Sequence, residues 1–211
     1  MDIKEKIIFE KKWQEYDKWY DDHEAVYKSE LHAVKELIPK GTGLEIGVGT
    51  GRFAAPCHVE FGIDPSINML HLAKKRNVKV VQGVGEKLPF KNDSFHFILI
   101  MVTLCFLNDV SKVIHESKRA LKSKGSLIIG MINKNSPLGK QYEKSRHKSE
   151  FYKHAEFLAP EKILNLLHKT GLKFKNSRQT LIQTPDKAHE DKKPKKGYNQ
   201  GGFVVLKAIK I

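Results

Sequence analysis

The sequence predicts an α/β fold: a doubly wound, mostly parallel sheet of seven strands that ends in an antiparallel C-terminal hairpin. Three observations predict it. Short apolar runs alternate with helical periodicities, the pattern of βαβ units. One run, Phe95 to Val102, is almost wholly apolar, as a central parallel strand covered on both faces must be. The last two runs, Lys173 to Ile182 and Phe203 to Ile211, are joined by a Lys-, Pro- and Gly-containing stretch without helical period, which fits an antiparallel return.

The elements follow in order. The first forty residues read as helix. From Tyr27, the apolar positions Leu31, Val34 and Ile38 recur on one helical face, and Pro39 and Gly41 stop it. An aromatic cluster, Trp13, Tyr16, Trp19 and Tyr20, lies ahead of that face. Leu44-Glu45-Ile46 is a first strand entering a glycine-rich turn, and Val59 to Ile63 is a second, ending in Asp64. Ile67, Leu70 and Ala73 mark a helix, Val78 to Val81 a third strand, and Phe95 to Val102 the fourth. Val110, Val113, Ile114, Ser117 and Leu121 give an amphipathic helix expected to end at Gly125. Leu127 to Ile129 is the fifth strand. Residues 133–158 are polar, aromatic and basic and read as a cap. Pro160-Glu161 opens a last helix that Gly171 closes.

No internal repeat is present, so a solenoid is not expected. The reading is one domain: an N-terminal helical lid over 1–40, a core over 41–132, the cap over 133–158, and a last helix with the C-terminal hairpin over 159–211. With 211 residues, 40% hydrophobic and 29% charged, the chain suits one filled core and not a disordered polymer. A bilayer span needs about 20 apolar residues. The longest apolar run, Phe95 to Leu107, is shorter and contains His96 and Thr103, so no membrane role is expected. The first residues hold no apolar signal core, and Cys57 and Cys105 make no disulfide framework, so a cytoplasmic setting is expected. The formal charge of +14 is carried by residues 111–211, which suits an anionic partner or a solubilising surface equally.

The chemistry concentrates after the first strand. Gly47-Val48-Gly49-Thr50-Gly51 has the composition of a turn that lets a ligand approach the backbone. The dinucleotide fingerprint needs a third glycine where this chain has Arg52. Glu45, a carboxylate inside an apolar strand, is expected to meet a ligand ammonium, a structural lysine or a backbone amide. Asp64 ends the second strand, where open α/β sheets bind ligands, and a carboxylate there can accept both hydroxyls of a ribose. The alternative is that Asp64 or Ser66 caps the helix from Ile67.

Leu44 to Gly51 resembles the first motif of class I S-adenosylmethionine-dependent methyltransferases, and Gly62 to Leu70 resembles their ribose-binding second motif. Val81-Gln82-Gly83 with Glu86 to Phe90 resembles the adenine-side loop of the small-molecule, type 11 branch. Leu104 to Gly125, with Glu116, Arg119 and Leu121, resembles the helix that follows. The resemblance covers roughly residues 20 to 211, and the combination is more specific than any one motif. It implies a Rossmann-like fold, S-adenosylmethionine as cofactor and a methyl acceptor as partner. It implies that Glu45, Gly47, Val48 and Gly49 hold the methionine moiety and Asp64 the ribose. Pro65, Ser66 and Met69 would line the adenine slot, Gly85 and Glu86 would read the adenine edge, and Met101 to Thr103 would lie beneath the sulfonium. Two positions depart from the family pattern: Val84 and His96 stand where it usually carries Asp. His96 is expected to be a satisfied core histidine.

The resemblance also implies an acceptor pocket between the N-terminal helix and the segment after the fifth strand. Those regions hold Tyr16, Trp19, Tyr20, Tyr142, Arg146, His147, Phe151, Tyr152 and His154. Aromatic walls suit a cationic or flat acceptor, and Arg146 suits an anionic one. His147, His154 and Tyr142 are the candidate bases. No metal motif and no hydrolase or P-loop spacing is present, and no metal is expected. The favoured activity is methyl transfer to a small molecule by direct in-line displacement. The Lys192-Lys193-Pro194-Lys195-Lys196 loop motivates a nucleic-acid methyltransferase as the alternative, and a non-catalytic cofactor-binding scaffold is the third reading.

Overall fold

The structure, a computed structural model, describes residues 3–182 and 193–211. Three helices open the chain: α1 (Ile3–Lys11), α2 (Trp13–Asp22) and α3 (Glu24–Lys35). The core then runs β1 (Gly43–Ile46), β2 (Phe61–Asp64), α4 (Ile67–Lys75), β3 (Lys79–Gln82), β4 (Phe95–Met101), α5 (Val110–Ala120) and β5 (Leu121–Ile132). The rest is α6 (Pro137–Ser145), α7 (Pro160–Lys169), β6 (Leu172–Thr180), β7 (Lys195–Lys196) and β8 (Phe203–Lys210).

All eight strands form one sheet in the order β3-β2-β1-β4-β5-β8-β6-β7. Strands β1 to β5 pair in parallel, and β8 lies antiparallel between β5 and β6. The fold class is as expected from the sequence, but the strand count is eight, not seven. The extra strand is β7, whose two exposed lysines pair with Arg178 and Gln179 of β6. A strand of two residues leaves no apolar alternation to read. Of the Lys192–Lys196 loop, Lys192 lies outside the described residues.

The apolar run of β4 is explained by its two faces. Ile98 and Ile100 join the cluster under α5 and α7, with Val113, Ile114, Ile163 and Leu167. Phe97 and Leu99 point the other way, into the cluster under α3 and α4, with Ala33, Val34, Leu70 and Ala73. Helix α5 stops at Ala120, five residues before the expected glycine. Leu121 turns extended (φ −72°, ψ 137°) and pairs with Phe95 of β4. It continues the buried period while already belonging to β5. Gly125 is needed inside that strand, where a Cβ would lie 2.7 Å from the Lys122 carbonyl oxygen.

The sheet order reverses between β1 and β4, and ligands of such sheets bind outside the carboxyl ends of the strands there. Helices α1 and α2 cover that crevice. Asn68 Nδ2 donates to the Glu10 carbonyl at 3.0 Å, and Lys12 pairs with Glu150, so the lid touches both α4 and the cap. No helix among the described residues is long and apolar enough to cross a membrane.

Candidate active site

The glycine turn that leaves β1 is tied to the end of β2. The N–H groups of Gly47 and Val48 both donate to the Ile63 carbonyl, at 2.8 and 3.1 Å. Gly47 and Gly49 adopt φ of +70° and +50°, which only glycine reaches without strain. Asp64 ties the turn to the end of β2: its Oδ2 accepts from Gly49 N at 2.9 Å and its Oδ1 from Ser66 N at 2.9 Å. Burial pushes the Asp64 carboxyl up to about 6, against the opposing pull of those two N–H donors. The cap of α4 is Ser66, whose hydroxyl accepts from Met69 N at 3.2 Å. Asp64 is therefore free of capping duty.

Glu45 is 2% exposed and does not meet a lysine. It accepts from the Ala54 N–H, and its Oε2 has no partner. Burial drives its carboxyl well above the usual range. Glu45 and Val48 face a small cavity beneath the turn, together with Gly47, Arg52 and Met101. Above the turn a larger cleft, enclosing about 420 Å³ of partly open space, is lined by Gly47, Gly49, Asp64, Met69, Met101 and Thr103, and walled by Phe9, Tyr16, Val102 and Phe106. An orphaned buried carboxylate below the turn and an acceptor carboxylate above it suit a ligand with an ammonium and a vicinal diol. S-adenosylmethionine has both groups.

Pro65, Gly85 and Glu86 line neither cavity. Val84 is exposed. The loop after it is pinned from α5: Leu88 N donates to Glu116 Oε2 at 2.9 Å, and Arg119 donates to the carbonyls of Leu88 and Phe90. His96 is not a core histidine. It is exposed at the start of β4, away from the carboxyl ends, and its Nδ1 contacts Thr42 N at 3.0 Å. His96 is the second residue of β4, between the buried Phe95 and Phe97, and its side chain turns out of the core to lie against Gly41 and Lys122, with Nε2 3.3 Å from Lys122 Nζ.

A second cleft, enclosing about 870 Å³ of partly open space, adjoins the first. It is lined by Tyr16, Trp19, Tyr20, Tyr142, Phe151 and Tyr152, and by His23, Val26, Glu30, Val102, Ile132 and Leu138. Tyr16 and Val102 belong to both spaces. Val102 is held at φ +50°, a strained backbone for a β-branched residue, and its N–H donates to Gly130 O at 2.8 Å. The aromatics expected here are thus gathered. Arg146, His147 and His154 are not. Both histidines are exposed in the cap and line no part of the cleft. Arg146 is used inside the cap, donating to Ala155 O at 3.0 Å. Short basic segments of a cap gain solvation by turning outward, which the sequence pattern did not reveal. Tyr142 does face the cleft, and burial pushes its phenol up to about 12. Burial likewise raises Tyr16, Tyr20 and Tyr152, so these phenols are hydrogen-bond donors at neutral pH.

Sequence reasoning missed Phe9, Phe106 and Glu30. Glu30 had a signal: it interrupts the stripe Val26, Ala33 and Leu37, which runs along α3 and just past its end, with a carboxylate. Among the described residues no group of His, Cys, Asp and Glu is arranged to hold a metal.

Comparison with known proteins agrees with the geometry. A family profile described as a methyltransferase domain, type 11, matches residues 44–129. An uncharacterized protein of Methanocaldococcus jannaschii is 47% identical over 97% of this chain and 99% of its own length. A Thermotoga maritima crystal structure, described as a SAM-dependent methyltransferase and possible histamine N-methyltransferase, is 43% identical with a TM-score of 0.94, over 98% of this chain and 100% of that one. The demethylmenaquinone methyltransferase of Staphylococcus aureus is 31% identical over 55% of this chain and 56% of its own length. The chain belongs to the class I S-adenosylmethionine-dependent methyltransferases, in their type 11 branch.

Proposed function

We propose that this methyltransferase acts on a small-molecule acceptor held in the aromatic cleft. The observation that carries the reading is that the cleft meets the cofactor cavity at Tyr16 and Val102. When bound, S-adenosylmethionine supplies an electrophilic methyl group on its sulfonium. Glu45, Gly47, Val48 and Gly49 hold its methionine part. Asp64 accepts the ribose hydroxyls, Met69 borders the adenine, and Met101 underlies the sulfonium; Pro65, Gly85 and Glu86 lie outside the two cavities and would meet only an adenine that extends beyond them. The lid and the cap exclude water, and the aromatic walls of Tyr16, Trp19, Tyr20 and Tyr152 align the acceptor for in-line attack.

The two relatives whose descriptions name an acceptor, menaquinone precursor and histamine, both act on or are suggested to act on small molecules. A nucleic-acid acceptor has less support. The exposed Lys195 and Lys196 sit on the edge strand β7, a different part of the sheet from the β1 and β4 ends that carry the site. Transfer of a labelled methyl group from S-adenosylmethionine to a panel of amines, phenols, carboxylates and RNA tests this reading. Turnover of a small molecule is the expected result. Labelling of RNA alone overturns it.

A further inference from the structure

We propose that Glu30 is the acceptor-binding residue and selects a positively charged amine. This rests on the reading of the aromatic cleft as the acceptor site.

Glu30 is 6% exposed on α3 and lines the cleft. It makes no ion pair or hydrogen bond among the described residues. Its charge is felt by the phenols of Tyr20, Tyr142 and Tyr152, each raised first by its own burial and then further by neighbours that include Glu30. Glu30 and these three tyrosines line the same cleft. His23 also lines the cleft, but its ring stacks on Trp19 at 4.5 Å and its Nδ1 meets the Trp19 carbonyl at 2.9 Å.

A buried carboxylate without a partner is costly, and proteins seldom retain one unless a cation joins it. Arg146, the one cation that suited an anionic acceptor, bonds within the cap instead. One acidic group in a cleft walled largely by aromatic side chains is complementary to an ammonium: the carboxylate takes its N–H donors and the rings attract its charge. A neutral phenol or an anion gains nothing from the same arrangement.

The test is calorimetry on the whole protein saturated with S-adenosylhomocysteine. The probes are three amines (2-phenylethylamine, tryptamine and histamine), the neutral 2-phenylethanol and the anionic 3-phenylpropionate. The wild type is expected to bind at least one amine tenfold or more tightly than the alcohol, and the anion least. In Glu30→Gln the preference for the amine over the alcohol collapses to within about twofold, with S-adenosylhomocysteine affinity unchanged. Retention of the preference in Glu30→Gln overturns the assignment. So does a wild type that binds none of the amines, or binds the alcohol or the carboxylate better. The wild-type comparison decides even if Glu30→Gln does not fold. A wild type that turns over only phenols or acids would leave small-molecule transfer standing and remove the amine. Labelling of RNA alone would remove both.

Discussion

The Asp17 carboxylate and the Arg52 guanidinium form a two-pronged ion pair, with Nε to Oδ1 at 2.9 Å and Nη2 to Oδ2 at 2.8 Å. Asp17 is on the lid helix α2, and Arg52 follows the glycine turn. Arg76 joins the same carboxylate and also donates to the Thr50 carbonyl at 2.7 Å. The position where a dinucleotide fingerprint would carry its third glycine is thus used to latch α2 onto the glycine turn.

Burial raises the Asp17 carboxyl, but the hydrogen bonds from Arg52 and Arg76 outweigh it and hold it down at about 2, against 3.8 for a free side chain. A depressed acid contributes stability above its unfolded pKa and loses it as pH falls through the folded one. Asp17→Asn is expected to cost on the order of 2 kcal/mol at pH 7. The difference from wild type shrinks as pH drops from about 4 toward 2. Urea unfolding across that range measures it. A pH-independent difference would show that the ion pair is not its source.

Gly47 and Gly49 share a left-handed backbone but not a neighbourhood. A Cβ on Gly47 would lie 2.4 Å from Thr103 Oγ1, whereas one on Gly49 would meet only Tyr16 Cε1 at 3.7 Å. Gly49→Ala is expected to cost about 1 kcal/mol, the left-handed strain alone. Gly47→Ala adds the displacement of Thr103, whose hydroxyl donates to the Met101 carbonyl at 2.9 Å, for about 2–3 kcal/mol in all. Thermal unfolding of the pair checks the order. Equal losses would contradict the packing described.

Glu30 gives the opposite pH signature from Asp17. Burial pushes its carboxyl up to about 8, from 4.5 when free. Stability is then complete below about pH 4.5 and falls as pH rises through 8, because the unfolded chain ionises first. Glu30→Gln, which mimics the protonated form, is expected to be more stable than wild type by a few kcal/mol at pH 9 and nearly equal to it at pH 4. Melting temperatures of both proteins at the two pH values are the measurement. A variant less stable than wild type at pH 9 would mean that the carboxylate has a partner in the fold.

The core was legible because burial on both faces leaves one signal: β4 reads as an unbroken apolar run, and α4 and α5 keep their helical periods. The glycine turn, Glu45 and Asp64 were legible because their residue types are costly in those positions without a ligand. What was not legible depends on which way short polar segments turn. His147, His154 and Arg146 have the residue types of an acceptor site, yet the cap points them to solvent or into itself. Phe9 and Phe106 look like ordinary core residues, and only their packing, ring centroids 5.1 Å apart, makes them part of the wall of the cavity at the glycine turn. Lys195 and Lys196 become a strand only because β6 offers an open edge.

The central claim is that the glycine turn and the two carboxylates flanking it hold the cofactor. Calorimetric titration with S-adenosylhomocysteine, on wild type, Asp64→Ala and Glu45→Gln, tests it most directly. The account predicts binding by the wild type and at least tenfold weaker binding by each variant, with NAD not bound by any of them. Binding undiminished in both variants would contradict it.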